Sequence, residues 1–303
     1  MKFCVIGLGE TGVTIASLLA SGFLNSELTI IDPADWISGR YLDVAHAASF
    51  SNVRMYLNDS SKAAEADFFF YCAGVRNEKG EDRLSVIERN KEIIPLAFDG
   101  IQPKTTAKII VVTNPVELIT QWISAFFKEK ITVVGTGTAL DSFRLKYLIE
   151  QKKNILSVIS VEVLGEHGAS MVPVFSALKM DGEIKADFFT EEEKIQLHQE
   201  LVQSATIIRK TEEATKFGVA ECAIYIVKAF LSKETIRIPV SITMSKFWKE
   251  KLDFSDDLFV SLPCQISENG ISVIDEVNMN ETEWQLFRTS VEKLNKVAKS
   301  IKA

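Results

Sequence analysis

His167 stands between two glycines in Gly165-Glu166-His167-Gly168, in a chain that has only 3 histidines. Imidazole is the side chain whose ordinary titration lies near neutral pH, so a histidine presented this way is a candidate proton relay. Partners of the right types lie far off in sequence: Asp141 and Arg144 at a predicted helix start, Arg83 in a charged loop, and Asn114 after a buried strand. Gathered together, they would suit proton and hydride transfer to a small 2-oxo acid. The three-residue step from Asp141 to Arg144 puts both on one helix face. On spacing alone, a surface salt bridge explains that pair equally well, and a satisfied core residue explains the histidine.

The elements that must position these residues follow an alternating pattern. Short apolar runs at Phe3 to Ile6, Leu28 to Ile31, Phe68 to Cys72, Ile109 to Val112 and Ile131 to Val134 are separated by helical patterns. That alternation predicts a Rossmann-type, doubly wound α/β fold with a parallel sheet. Directly after the first run comes Gly7-Leu8-Gly9-Glu10-Thr11-Gly12, and then an amphipathic pattern ending near Gly22. A glycine-rich turn that opens a helix offers free backbone amides and the positive end of the helix dipole to a diphosphate. Asp32, at the end of the second strand and twenty residues after Gly12, is placed to accept hydrogen bonds from a ribose diol. A carboxylate there repels a 2′-phosphate, so the expected cofactor is NAD rather than NADP.

Two further loops sit where the C-terminal edge of the sheet should lie. Residues 73–83, from Ala73-Gly74 through Arg76, Asn77 and Gly80 to Arg83, mix basic and acidic side chains around glycines ahead of a helix over Leu84 to Phe98. Such a segment reads as a solvated connection or as a lid that closes over substrate and excludes water. Thr113-Asn114-Pro115 holds Asn114 extended before proline, where its amide can serve a turn, a substrate hydroxyl or a nicotinamide.

Composition narrows the field. The chain has 303 residues, 47% hydrophobic and 25% charged, with a net charge of -7. That is enough to bury a large core, and no block of basic residues is present to neutralise a nucleic-acid backbone. Cys4, Cys72, Cys222 and Cys264 stand far apart and read as buried free thiols of a reducing, cytoplasmic setting. No apolar run is long enough to span a membrane, and the N-terminus lacks a signal-peptide pattern. No metal site is expected.

With these motifs assembled, the chain resembles the L-lactate and malate dehydrogenase family along nearly its whole length. The resemblance is carried by Gly7-x-Gly9-x-x-Gly12, Asp32, residues 42–47 (Leu42-Asp43-Val44-Ala45-His46-Ala47), Gly80 to Arg83, Thr113 to Val116, Gly135 to Arg144 and Gly165 to Gly168. It implies a dinucleotide-binding domain over 1–136 and a mixed α/β substrate domain over 137–303. It implies roles as well: His167 as acid and base, Asp141 as its carboxylate partner, Arg144 on the substrate carboxylate and Arg83 on the ketone. Ala73, Gly74, Asn114 and Val219 would line the cofactor, and Thr215 the substrate pocket. The helix around Leu42 to Phe50, with His46, would pack at a subunit interface of a dimer or tetramer.

In this register the lid position that selects the acid is Asn77. Asparagine is neutral, so the second carboxylate of oxaloacetate would be desolvated without a partner, at a cost of several kcal/mol. It is also one methylene shorter than glutamine, worth about 0.8 kcal/mol of packing. The first choice is therefore L-lactate dehydrogenase acting on pyruvate. Longer or branched 2-oxo acids come next, and malate follows, with Arg76 its only obvious rescue. Lys146 and Ser160 stand where many bacterial relatives bind fructose bisphosphate through arginine and histidine, so weak regulation is expected. An NAD-dependent glycosidase would need a metal held by cysteine and histidine, and a noncatalytic scaffold would have no need of the four charged residues.

Over the rest of the chain the pattern predicts a helical region from Glu191 to Phe217 opened by a Thr190 to Glu193 capping box, and strands at Ile236 to Met244 and Leu258 to Leu262. A hairpin turn is expected at Asn269-Gly270. A last helix, after Asn280, should bury Trp284, Phe287, Val291, Leu294, Val297 and Ile301.

Overall fold

The computed structural model describes residues 1–75, 83–155, 159–212 and 214–301. The chain divides into two compact units, one of Met1–Thr136 with Ala214–Lys228 and Ile301–Ala303, the other of Gly137–Glu213 with Ala229–Ser300.

The first unit alternates strands and helices: β1 (Lys2–Ile6), α1 (Glu10–Gly22), β2 (Glu27–Ile31), α2 (Ser38–Ser49), β3 (Arg54–Leu57), α3 (Ser60–Ala64) and β4 (Phe68–Tyr71). It continues through α4 (Arg83–Ala97), β5 (Lys108–Val111), α5 (Val116–Phe126) and β6 (Thr132–Gly135). These strands form a parallel sheet in the order β6-β5-β4-β1-β2-β3. The order reverses at β1, whose neighbours are β2 and β4, and that reversal is where an open α/β sheet leaves a crevice for ligand. The five apolar runs of the sequence are all strands, with ends moved by one residue. β3 is the strand the sequence hides, because none of its four residues is buried. Cys4, Ile6, Phe69, Tyr71, Ile109 and Val111 face α4 and α5 through Ile94, Phe98, Ile119 and Ile123, making one continuous core.

In the second unit come α6 (Ala139–Lys153), β7 (Ile159–Leu164), β8 (Val172–Met180), β9 (Glu183–Ile184) and α7 (Glu191–Ile208). After α8 (Phe217–Leu231) follow β10 (Ile236–Thr243), α9 (Lys246–Leu252), β11 (Phe259–Ser267), β12 (Gly270–Val273) and α10 (Glu281–Ser300). β7, β8 and β9 pair antiparallel, as do β10, β11 and β12. Leu145 and Ile149 of α6 pack with Val161, Phe175, Leu197 and Leu201.

The expected helix from Glu191 to Phe217 is interrupted. α7 opens with the capping box at Thr190 and Glu193 but ends at Ile208; the chain leaves the helix before passing into the first unit at Ala214, and Phe217 starts α8. The hairpin turn lies one residue earlier than expected, at Glu268-Asn269, since Ser267 pairs directly with Gly270, whose φ of 118° opens β12. α10 buries Phe287, Val291 and Leu294, while Trp284 and Val297 are half-buried; Ile301 is buried just after the helix ends.

Candidate active site

Three glycines build the loop between β1 and α1, for different reasons. Gly7 has a φ of 90°, and a Cβ there would lie 2.6 Å from Ala73 N. At Gly12 a Cβ would come within 1.9 Å of Gly7 O. Both are therefore demanded by the fold. Gly9 is different, since a Cβ built on it meets nothing within 4 Å. Its lack of a side chain leaves a cradle open at the N-cap of α1, where backbone amides and the helix dipole favour a diphosphate. Asp32 directs Oδ2 to Leu8 N at 2.7 Å and Oδ1 to Ala34 N at 3.0 Å, which fixes its carboxylate beside the loop. The loop and Asp32 thus fit a dinucleotide.

Facing the loop, Ala73 and Gly74 are held by Thr113 and by Asn90, which the sequence did not single out. Asn90, 3% exposed on α4, accepts from Val75 N at 2.8 Å and donates to Asn114 O at 3.4 Å. Thr113 Oγ1 donates to Ala73 O at 2.8 Å, and a Cβ on Gly74 would lie 2.8 Å from Thr113 Cγ2. The only signal for Asn90 was a polar residue on a helix face otherwise apolar. Asn114 is exposed and joined to Pro115 by a cis bond. Thr11, Thr215 and Val219 are half-buried in the same unit. Cys72, next to Ala73, has its thiol pushed up to about 12 by burial, so no thiolate stands beside this loop.

In the second unit, Asp141, Arg144 and His167 come together. Asp141, on the first turn of α6, is completely buried; its Oδ2 lies 2.5 Å from His167 Nδ1 and its Oδ1 accepts from Arg144 Nη1 at 3.1 Å. The side chains of His167 and Arg144 are 25% and 16% exposed, so the outer pair faces a solvent-reachable surface over a buried anion. Burial alone would raise the Asp141 carboxyl, but the His167 ring and the Arg144 guanidinium outweigh it and hold the group below its ordinary value. The same attraction, read from the other side, favours the protonated imidazole.

Backbone locks set these side chains. Gly137 has a φ of 49°, and a Cβ there would lie 2.4 Å from Ser261 Oγ. Thr138 N donates to Ser261 Oγ at 3.0 Å, Ser142 Oγ bridges Thr138 O and Val163 N, and Thr138 Oγ1 donates to Val163 O. The start of α6 is thereby stitched to β7. At the far end of β7, Gly165 has a φ of 92° and leaves no room for a Cβ against Ser290 Oγ at 2.6 Å. Ser290 accepts from Glu166 N at 2.9 Å, and Ser170 Oγ donates to Glu166 Oε2. Ser290 is buried on α10, more than a hundred residues away, and holds the corner that carries His167.

Arg83 begins α4, but its side chain, like the whole of Asn77, lies outside the described residues. Lys146 pairs with Glu150 at 3.8 Å along α6, and Ser160 is exposed on β7. His46 is exposed on α2; His198 is half-buried on α7, and burial lowers its titration. Among the described residues no group of three or more histidine, cysteine or acidic side chains is arranged to hold a metal, and no helix is long and apolar enough to cross a membrane.

A diphosphate cradle in one unit and a histidine–carboxylate pair beside an arginine in the other define an α/β dehydrogenase that works with a dinucleotide. The family model for the NAD binding domain of lactate/malate dehydrogenase matches residues 1–132, and the one for the alpha/beta C-terminal domain matches 138–303. L-lactate dehydrogenase A-like 6A of Homo sapiens is 31% identical, the match covering 99% of this chain and 93% of that protein. An L-lactate dehydrogenase of Halalkalibacterium halodurans is 28% identical over 99% and 97%. Among solved structures, malate dehydrogenase from Archaeoglobus fulgidus in complex with NADH superposes with a TM-score of 0.80 at 25% identity, covering 99% of each chain. The chain belongs to the lactate/malate dehydrogenase family, and it is an NAD-dependent oxidoreductase acting on the CH-OH group of a hydroxy acid.

Proposed function

We infer that the chain is an L-2-hydroxyacid dehydrogenase that interconverts pyruvate and L-lactate. The observation that carries this reading is Asp141, one buried carboxylate that orients both an imidazole and a guanidinium. Bound NADH supplies the hydride that reduces the ketone. His167 gives the proton that the ketone oxygen needs; with Nδ1 committed to Asp141, Nε2 is the nitrogen that delivers it. Arg144 holds the substrate carboxylate, because a planar fork can bond both oxygens at once. Arg83 is assigned by family resemblance to the ketone oxygen, where a guanidinium counts most once water is excluded.

Pyruvate stands first on the strength of Asn77. Family resemblance puts Asn77 at the position that selects the acid, and a neutral residue there would leave the second carboxylate of oxaloacetate unpaired, whereas a methyl group asks for no partner. The relatives carry both lactate and malate names, so the choice rests on that position. Trp36, Leu42 and Phe50, 61%, 55% and 92% exposed, give the region around α2 an apolar surface that favours a homodimer or homotetramer. Four free cysteines favour a cytoplasmic setting. Lys146 and Ser160 favour weak or absent control by fructose bisphosphate.

Initial rates of NADH oxidation with pyruvate, 2-oxobutyrate, 2-oxoisocaproate and oxaloacetate, repeated with Asn77→Arg, test the reading. Pyruvate should lead for the native protein and oxaloacetate should gain most in the variant. A native preference for oxaloacetate overturns it.

A further inference from the structure

The first helical residue after the open cradle at Gly9 is acidic. Glu10 opens α1, at the place where a diphosphate needs positive potential, and by itself it would repel that ligand. It is not by itself. Arg40, from α2, bonds Glu10 Oε1 through Nη2, and Lys216, just ahead of α8, approaches Glu10 Oε2 at 3.3 Å. The Glu10 side chain is only 17% exposed. Burial penalises its charge, but the two cations more than compensate and hold the carboxyl below its ordinary range, so it is ionised at neutral pH.

The cations are anchored independently of Glu10. Arg40 Nη1 donates to Leu8 O, within the glycine loop itself, at 3.1 Å, and its guanidinium lies 4.9 Å from the centre of the Trp36 ring. Lys216 Nζ lies 5.6 Å from the Phe217 ring centre. Side chains from positions 10, 40 and 216, all in the first unit, therefore meet at one end of the cradle, where Arg40 and Lys216 both pair with Glu10. A surface ion pair has no need of a second cation from a distant segment, nor of a bond back to the loop.

We propose that Arg40 and Lys216 are ligands of the coenzyme diphosphate and that Glu10 is a positioning residue, a stand-in anion that keeps both cations at the cradle until phosphate replaces it. Binding is then an exchange: guanidinium and ammonium pass from a carboxylate to phosphate oxygens, and Glu10 is left as a nearby like charge that limits affinity. The arrangement gives the loop cationic reach while Glu10 offsets part of the positive charge that would trap a released dinucleotide. It rests on NAD binding alone and not on which acid is reduced.

Calorimetric titration of the full chain with ADP-ribose, adenosine and NADPH separates the outcomes. Lys216→Met and Arg40→Met should each weaken ADP-ribose binding about tenfold, an effect that shrinks as salt is raised. Glu10→Gln should strengthen it about threefold. Adenosine, which has no phosphate, should bind all variants alike and so reports that each is folded. Unchanged ADP-ribose affinity with a lowered Tm would make the cluster a structural ion network and overturn the proposal. A loss in Arg40→Met confined to NADPH would assign Arg40 to a 2′-phosphate and overturn it equally. If the panel of 2-oxo acids failed while these titrations held, only the substrate reading would fall.

Discussion

Replacing Asp141 by asparagine keeps the shape of the side chain and removes its charge, so it isolates what the carboxylate does for His167. The native pair is separated by 2.5 Å between Oδ2 and Nδ1, with Asp141 wholly buried. Charges whose centres lie about 4 Å apart attract by about 4 kcal/mol at an effective dielectric of about 20. Removing that attraction lowers the titration of the imidazole. The quarter of the His167 side chain that meets solvent screens part of the effect. Reduction of pyruvate draws its proton from His167, so its rate at pH 7 should fall by about tenfold and its profile should move toward acid. Oxidation of L-lactate needs the neutral ring and should lose less. The assay is initial rate in both directions between about pH 5 and 9 with coenzyme saturating. Equal losses in the two directions with an unmoved pH profile would refute the electrostatic role assigned to Asp141.

Other substitutions probe the rest of the construction. Gly12→Ala drives a Cβ to 1.9 Å from Gly7 O and should cost about 2 kcal/mol or more of stability, whereas Gly9→Ala enters open space and should leave Tm in place while weakening NADH binding about tenfold; thermal melts and NADH titration check the contrast. Arg144→Lys exchanges a fork for a point charge and should raise KM for pyruvate about 30-fold with NADH affinity unchanged, as steady-state kinetics would show. Glu283 accepts from Ser176 N and Asn280 N, both at 3.0 Å, at the start of α10; Glu283→Ala should cost about 2 kcal/mol in denaturant melts and leave kcat unchanged.

Much of this was legible in the sequence because five strands of the first unit are short, mainly apolar runs broken by glycine and proline, and such runs have few other uses. Gly7, Gly9, Gly12 and Asp32 could be read as a binding loop, but not that Gly7 and Gly12 serve the fold while Gly9 leaves room for ligand; for Gly7 that depends on Ala73, sixty-six residues away, and for Gly12 on the folded path of the loop, which brings Gly7 O against it. β3 was hidden because an edge strand with no buried residue carries no hydrophobic signal. In the second unit, Asp141 and Arg144 were visible as a helical pair and His167 as a glycine-flanked histidine, and resemblance joined them. Asn90, Ser142, Ser261 and Ser290 were not visible, since each acts through hydrogen bonds to backbone of another part of the chain. The break after Ile208 escaped because a helical period over Glu191 to Phe217 says nothing about the chain moving from one unit to the other.

The most direct test of the account is the rate of pyruvate reduction by His167→Asn, measured beside the affinity of the same variant for NADH. A fall in kcat of about 10²- to 10⁴-fold with the dissociation constant of NADH unchanged is expected, because His167 moves the proton and the cradle in the first unit holds the coenzyme. A variant that reduces pyruvate within a few-fold of the native rate would contradict it.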